Sequence, residues 1–298
     1  MISIPSSKCI YSMNPHNPPA AEVNPGEIVH FETKDCFSNQ IQTERDLFAA
    51  IGWATVNPAT GPLAIRGSRP GDVLAVRILD IKVAQKGSMV AVPEMGALGS
   101  VITHPQTKII PIVDGYAIFN EKLRIPVSPM IGVIGTAPRT GDIPNGTPGP
   151  HGGNIDTKLV AKGATVYLPV FIEGAKLAVG DLHAVMADGE VLICGVEVPG
   201  EVTLQVDLVK EKSLRGPVLE NDEGFYCIAS AANLDRATGD AIDFATEFLK
   251  ARLPLSINEI VMLMSISCNL QISQIVDPLK TARVEIPKEP FRAYGLSF

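Results

Sequence analysis

The chain carries little charge and few aromatic rings. Charged residues make up 19% of its 298 residues and aromatic ones 5%, with a single tryptophan. Basic side chains do not cluster, and 25 of them against 32 acidic ones leave a formal charge of −7. Nucleic acid is bound through concentrated Lys and Arg, so a nucleic-acid partner is excluded. The five cysteines, at 9, 36, 194, 227 and 268, are odd in number and show no CxxC spacing. Neither a disulfide framework nor a cysteine zinc site follows, and reduced thiols point to the cytoplasm. The N-terminus, MISIPSSKCIYSM, lacks a basic segment followed by an apolar run, so no signal peptide is expected. The most apolar stretch, 260–276, contains Asn269, Gln271 and Gln274. It is too polar and too short to span a bilayer, so no membrane partner is expected.

Glycine and proline are abundant instead, at 26 and 24 residues. Both disrupt helix interiors and exclude a helical bundle. The 46% apolar content excludes disorder. Turn signals at Asn57-Pro58, Thr60-Gly61-Pro62, Arg69-Pro70-Gly71-Asp72 and Asp188-Gly189 alternate with short runs of Val, Ile and Leu. Val73–Val83 has period-2 character, and 202–209 sets Leu204, Val206 and Leu208 on one face. The run 165–172 is expected at an edge or a bulge, because Pro169 cannot donate a ladder bond. The pattern predicts a mainly β protein, an antiparallel β-sandwich or barrel, over residues 1–212. Residues 213–298 read as a smaller α+β portion packed on it. Its first helix covers 240–252, with Ile242, Ala245, Phe248 and Leu249 inward. Its second opens at a Ser256-Ile257-Asn258-Glu259 capping box. Strand-like runs at 224–229 and 270–276 flank the pair.

The segment 180–197 is richest in chemistry. Asp181 and His183 stand two apart on an expected strand and so share a face, as metal ligands or as a base and its orienter. Glu197 lies on the returning strand. A two-residue Asp188-Gly189 loop would point Glu197 away from His183. A three-residue Ala187-Asp188-Gly189 loop would put 183, 193, 195 and 197 on one face. The second is preferred because it gathers the ionisable groups. The competing reading makes Asp181 and Glu197 solvated edge charges and His183 a core residue.

Two further segments carry polar chemistry. In Pro148-Gly149-Pro150-His151-Gly152-Gly153-Asn154-Ile155-Asp156 the paired glycines allow close backbone approach to a ligand. His151, Asn154 and Asp156 offer a base or ligand, an amide and a carboxylate; the plainer alternative is a surface turn. The alternating run from Ile28 ends in a polar cluster with Asp35, a third ligand or base, and Cys36, a possible nucleophile. His16, His30 and His104 have no carboxylate pattern and read as structural or surface residues.

Taken together the segments resemble the acetamidase/formamidase family of amide hydrolases. The resemblance rests on Phe31-Glu32-Thr33-Lys34-Asp35-Cys36-Phe37-Ser38, Asn57-Pro58-Ala59-Thr60-Gly61-Pro62 and Arg69-Pro70-Gly71-Asp72-Val73-Leu74. It continues through His151-Gly152-Gly153-Asn154-Ile155-Asp156-Thr157-Lys158 and Leu168-Pro169-Val170, and is strongest over 180–197. Ile272-Ser273-Gln274-Ile275-Val276-Asp277-Pro278 also fits. Ala187 departs from the family's usual glycine, and 92–99 departs in its filling between glycines. The resemblance implies hydrolysis of small linear amides such as formamide or acetamide, assisted by a divalent metal, zinc in the first place. Within that reaction the preferred ligands are Asp35, Asp181 and His183, with His151 as a fourth. Glu197 is the candidate base and proton donor, Asn154 holds the amide or its oxyanion, and Asp156 is a further catalytic carboxylate. The alternatives are a metal-independent amidase with Cys36 as nucleophile and a non-catalytic binding protein of the same fold. A mean hydropathy of +0.20 points to a homodimer through exposed apolar surface.

Overall fold

Alternation in Ile28–Thr33 turns Val29, Phe31 and Thr33 inward and leaves Glu32 outward. Gly200–Val209 does the same with Val202, Leu204 and Val206, and Val73–Val83 is a strand over its full expected length. In the computed structural model, which describes residues 1–296, these join one nine-stranded sheet. Its order is Ile2–Ile4, Ile28–Thr33, Gly200–Val209, Val73–Val83, Thr165–Pro169, Val218–Glu220, Gly224–Ala231, Lys280–Pro287 and Asn269–Gln274. Every pair is antiparallel except the first.

A second sheet orders Gly152–Asn154, Met130–Gly135, Leu177–His183, Ala59–Ile65 and Cys9–Ile10, with Ala21–Val23 parallel to Ala59–Ile65. Four of its strands, Gly152–Asn154, Met130–Gly135, Leu177–His183 and Ala59–Ile65, are buried at every residue. Strands covered on both faces show no alternation. For that reason Thr60-Gly61-Pro62, which reads as a turn, lies inside a strand. Phe31, Leu74, Ile78 and Leu204 of the large sheet pack with Leu63, Ile131, Leu177 and Leu182 of the second in one apolar core. The protein is thus mainly β and sandwich-like, and no closed barrel forms among the described residues.

Thr165–Pro169 is interior rather than edge: it pairs with both Val73–Val83 and Val218–Glu220. Pro169 is tolerated because it is the last residue of the strand, where its missing N–H ends the ladder instead of interrupting it.

Helix α1 (Leu234–Lys250) begins earlier than its apolar stripe suggests, because Asn233 caps it by accepting from the Arg236 N–H. Its buried face is Ala237, Ala241, Phe244, Ala245, Phe248 and Leu249. Ile242, expected inward, is 41% exposed. Helix α2 (Ile257–Ser267) opens at the expected capping box. Among the described residues no helix is long and apolar enough to cross a membrane.

Phe225, Phe248 and Phe291 form a second core with Ala245 and Ile260, drawn from residues past 213. We propose that the 213–298 portion is organised around this cluster while sharing a sheet with 1–212. Phe248 lies 5.6 Å from the Phe225 ring and 6.2 Å from that of Phe291. Phe248→Ala should therefore cost about 3–5 kcal/mol in denaturant unfolding. A loss below about 1 kcal/mol would mean the cluster does not hold this portion.

Candidate active site

The site lies where strand ends of the second sheet meet loops of the first. Leu177–His183 delivers Asp181 and His183, and the chain after Gly152–Asn154 delivers Asp156. Asn57 stands just before Ala59–Ile65, and Cys36 follows Ile28–Thr33. Gly132 lies between Asp156 and Asp181. A Cβ there would stand 2.4 Å from Asp156 Oδ1 and 2.8 Å from Asp181 Oδ2. Only hydrogen at this position lets the two carboxylates approach each other.

The 180–197 segment reaches its geometry by neither expected turn. Residues 184–196 make a long irregular excursion, and Glu197 returns directly opposite His183 in an antiparallel bridge. The excursion is anchored elsewhere: the Gly189 N–H donates to Ser273 O at 2.8 Å, and Ile275 N–H to Gly189 O at 3.1 Å. The Asp188-Gly189 turn signal thus marks a contact with the C-terminal portion, not a hairpin tip. The outcome sought from the hairpin, His183 facing Glu197, is nonetheless present.

His183 Nε2 lies 3.0 Å from Glu197 Oε1, 3.4 Å from Asp181 Oδ1 and 3.9 Å from Asp156 Oδ1. Glu197 Oε1 also accepts the Gly195 N–H at 2.9 Å. Asn57 Nδ2 donates to Asp181 Oδ2 at 3.2 Å, and the Cys36 thiol donates to Asn57 Oδ1 at 3.3 Å. Asp156, Asp181, Glu190 and Glu197 are all buried. Among the described residues no Lys or Arg pairs with any of the four, and His183 is the ion-pair partner of Asp156, Asp181 and Glu197. Asp156 at φ 37°, Asp181 at 55° and Glu190 at 44° occupy left-handed backbone. Such conformations cost non-glycine residues of order 1–3 kcal/mol and gather at functional sites.

Electrostatics follow from burial without a counter-cation. Burial, then the Asp277 and Asp181 charges, pushes Asp156 well above the carboxylate range. Burial and then Asp156 does the same to Glu190. Burial raises Glu197 against the pull of His183. Burial alone would lower the His183 imidazole, but Glu197 and Asp181 carry it well above its ordinary value. Burial, then Glu197 and Asp181, raises the Cys36 thiol.

The donor set suits a metal ion. One donor atom from each of Asp156, His183 and Glu190 lies within 4.8 Å of the others, and so do donors of Cys36, Asp181 and Glu197. Both Asp156 oxygens, Asp181 Oδ1, Glu190 Oε2, Glu197 Oε2 and His183 Nδ1 are buried without a hydrogen-bond partner. Buried polar atoms are seldom left so, and a cation satisfies several at once. Carboxylate and imidazole are ligand types shared by zinc and other divalent ions.

Of the expected ligands, Asp181 and His183 fall in these groups, while Asp35 and His151 fall in neither. Asp35 Oδ1 instead accepts the Asn39 N–H at 2.6 Å, and burial raises its pKa to about 6. The expected catalytic residues Glu197 and Asp156 both join the donor groups. Asn154 Nδ2 donates to Asp277 Oδ2 at 3.0 Å, leaving Oδ1 unpartnered. The loop around His151, Asn154 and Asp156 is buried, not a surface turn. Glu190 and Asp277 were missed. Both lie in recognisable segments, Asp188-Gly189-Glu190 and Val276-Asp277-Pro278, but neither shows the alternate-residue spacing that pairs Asp181 with His183.

A β-sandwich with a buried carboxylate–imidazole centre able to hold a cation is the class these observations define. The chain belongs to the acetamidase/formamidase family, whose model matches residues 8–145 and 143–293. It is 50% identical to a crystallised acetamidase from Bacillus halodurans, with a TM-score of 0.97, over 99% of this chain and 100% of that one. A protein of the thermophile Thermoanaerobacter tengcongensis, assigned by prediction to acetamidase/formamidase, is 48% identical with a TM-score of 0.97, over 100% and 99%. The acetamidase of Mycolicibacterium smegmatis is 28% identical over 267 residues, 66% of this chain and 65% of that protein. The chain spans 63–65% of the length of the curated relatives it matches.

His151 Nε2 is buried without a partner, and burial pushes its pKa down to about 4. The unfolded chain takes up a proton near pH 6.5 while the folded ring stays neutral. Stability should therefore be undiminished above pH 6.5 and fall towards pH 4, by up to roughly 3 kcal/mol. His151→Gln should flatten this part of the stability–pH curve in urea titrations. Parallel curves for the two proteins would show that the ring is not held neutral.

Proposed function

We propose that the protein hydrolyses the C–N bond of small linear amides, formamide or acetamide among them, to a carboxylate and ammonia. A divalent metal, zinc by preference, assists. Family membership and the 50%-identical acetamidase support the reaction. The observation that carries the metal is the set of buried, unpartnered carboxylate and imidazole atoms around His183.

We assign Asp156, His183 and Glu190 as ligands, with Asp181 and Cys36 as adjacent donors, and leave Asp35 and His151 outside the set. A bound divalent ion polarises a carbonyl and makes water a better nucleophile near neutral pH. The chain's own residues do the rest. Glu197 Oε1 accepts the Gly195 N–H, so Oε2 is the oxygen left to take a proton from the attacking water. As the C–N bond breaks, the same oxygen returns that proton to the departing nitrogen. Asn154, fixed through Nδ2 by Asp277, turns Oδ1 to accept an amide N–H. Cys36 is not assigned as a nucleophile. Its thiol is buried among carboxylates, its hydrogen bond goes to Asn57, and no described imidazole accepts its proton. We further place the protein in the reducing cytoplasm, where five free thiols persist. Assembly is as a homodimer, supported by exposed Ile257, Val261 and Ile266 on α2.

Elemental analysis of the purified protein should find at least one divalent ion per chain, and chelation should abolish ammonia release. Full activity in rigorously metal-free protein would remove the metal from the reaction. Glu197→Gln keeps the side chain's size and should lower kcat by about 10²-fold or more. A change below about threefold would reassign the base.

A further inference from the structure

We infer that the preferred substrates are primary amides carrying an aryl group on the acyl side, held by an aromatic wall that leads away from the acid cluster. The inference rests on the amide-hydrolase reading and specifies its substrate class.

Beside the buried centre lies a cleft of about 940 Å³, with Cys36, Asn57, Asn154 and Asp277 among its lining residues. Volumes of this order enclose drug-sized ligands. Acetamide would fill a small fraction of it and leave the remainder wet. Much of the lining is apolar and includes Phe37, Phe48, Trp53, Met95 and Ile193. Three rings form a chain: Phe37 and Phe48 stand edge to face at 5.9 Å, and Phe48 and Trp53 at 5.1 Å. Phe37 and Phe48 are buried, while Trp53 is 68% exposed. An indole that contributes so little to the core is not explained by fold stability. A face-rich platform continuous with a buried aromatic pair is suited to stacking a ligand ring.

The direction of the substrate follows from the chemistry of the two ends. At the inner end Asn154 Oδ1 and the Asp277 carboxyl line the cleft, and as acceptors they suit the N–H₂ of a carboxamide. The carbonyl must sit beside that nitrogen. Both heteroatoms therefore occupy the inner end, and the acyl substituent is the part directed along the cleft. A primary amide has only this one substituent to place. An aliphatic methyl leaves the exposed Trp53 indole uncovered, whereas an aryl group directed along the cleft offers a flat face to cover it. Burial of apolar area at about 25 cal/mol per Å² then favours the aryl substrate.

Trp53 is the only tryptophan, so intrinsic fluorescence reads the mouth of the cleft directly. The test compares ammonia release from acetamide, hexanamide and phenylacetamide by the protein as purified, its metal content recorded. In parallel, Trp53 emission is titrated with phenylacetamide in Glu197→Gln. We expect kcat/KM for phenylacetamide at least tenfold above acetamide and saturable quenching of Trp53. Trp53→Ala, an exposed position whose truncation spares the core, should lower kcat/KM for phenylacetamide at least tenfold more than for acetamide. Equal or lower kcat/KM for phenylacetamide with no quenching overturns the aryl preference and leaves amide hydrolysis standing. Quenching without ammonia from any amide retains the aryl site and overturns hydrolysis. Neither signal with any amide overturns both.

Discussion

Four buried carboxylates around one imidazole are the constraint on which the rest of the structure turns. Asp156, Asp181, Glu190 and Glu197 repel one another in a medium where charge is costly, and the described chain supplies them no lysine or arginine. Such an arrangement cannot form from flexible parts, because relaxation would separate the acids. It requires a frame stiff enough to hold like charges together. Fully buried central strands provide that stiffness. Gly132, opposite Asp181 in the ladder, provides the space.

The strained residues fit the same logic. Left-handed backbone at Asp156, Asp181 and Glu190 is stable only where surrounding packing over-determines it. Leu182 and Val179 anchor the strand that carries Asp181 in the main core. The Gly189 contacts with the Ser273–Ile275 backbone fix the excursion that carries Glu190. Burial that is unfavourable for each acid alone becomes favourable collectively once a cation is shared, because each orphaned oxygen then has a partner.

Much of this was legible in the sequence, for identifiable reasons. One-face-buried strands such as Gly200–Val209 announce themselves by alternation, and helix α2 by its capping box. The pairing of Asp181 with His183 follows from strand periodicity, and their meeting with Glu197 was anticipated by the wrong route. The fully buried strands were harder to read, since a run buried on both faces has no polar phase. Thr60-Gly61-Pro62 therefore looked like a turn, and Pro169 like an edge marker. Glu190 and Asp277 lie in recognised segments but carry no local signal of a role. Glu190 gathers with Asp156 and His183 only through an irregular excursion, and Asp277 meets Asn154 from 123 residues away, so no periodicity encodes either contact. His151 shows the converse: a histidine beside two glycines reads as a ligand, and among the described residues it is buried outside both donor groups.

The backbone tie between Gly189 and the strand ending at Gln274 bears on how the chain matures. Glu190 sits on an excursion secured by residues near the C-terminus, and Asp277 follows that strand directly. During synthesis the second sheet can form while the last strands are still inside the ribosome. The acid cluster cannot yet be complete at that stage. The cluster of buried acids is therefore completed last, after the surrounding walls are built.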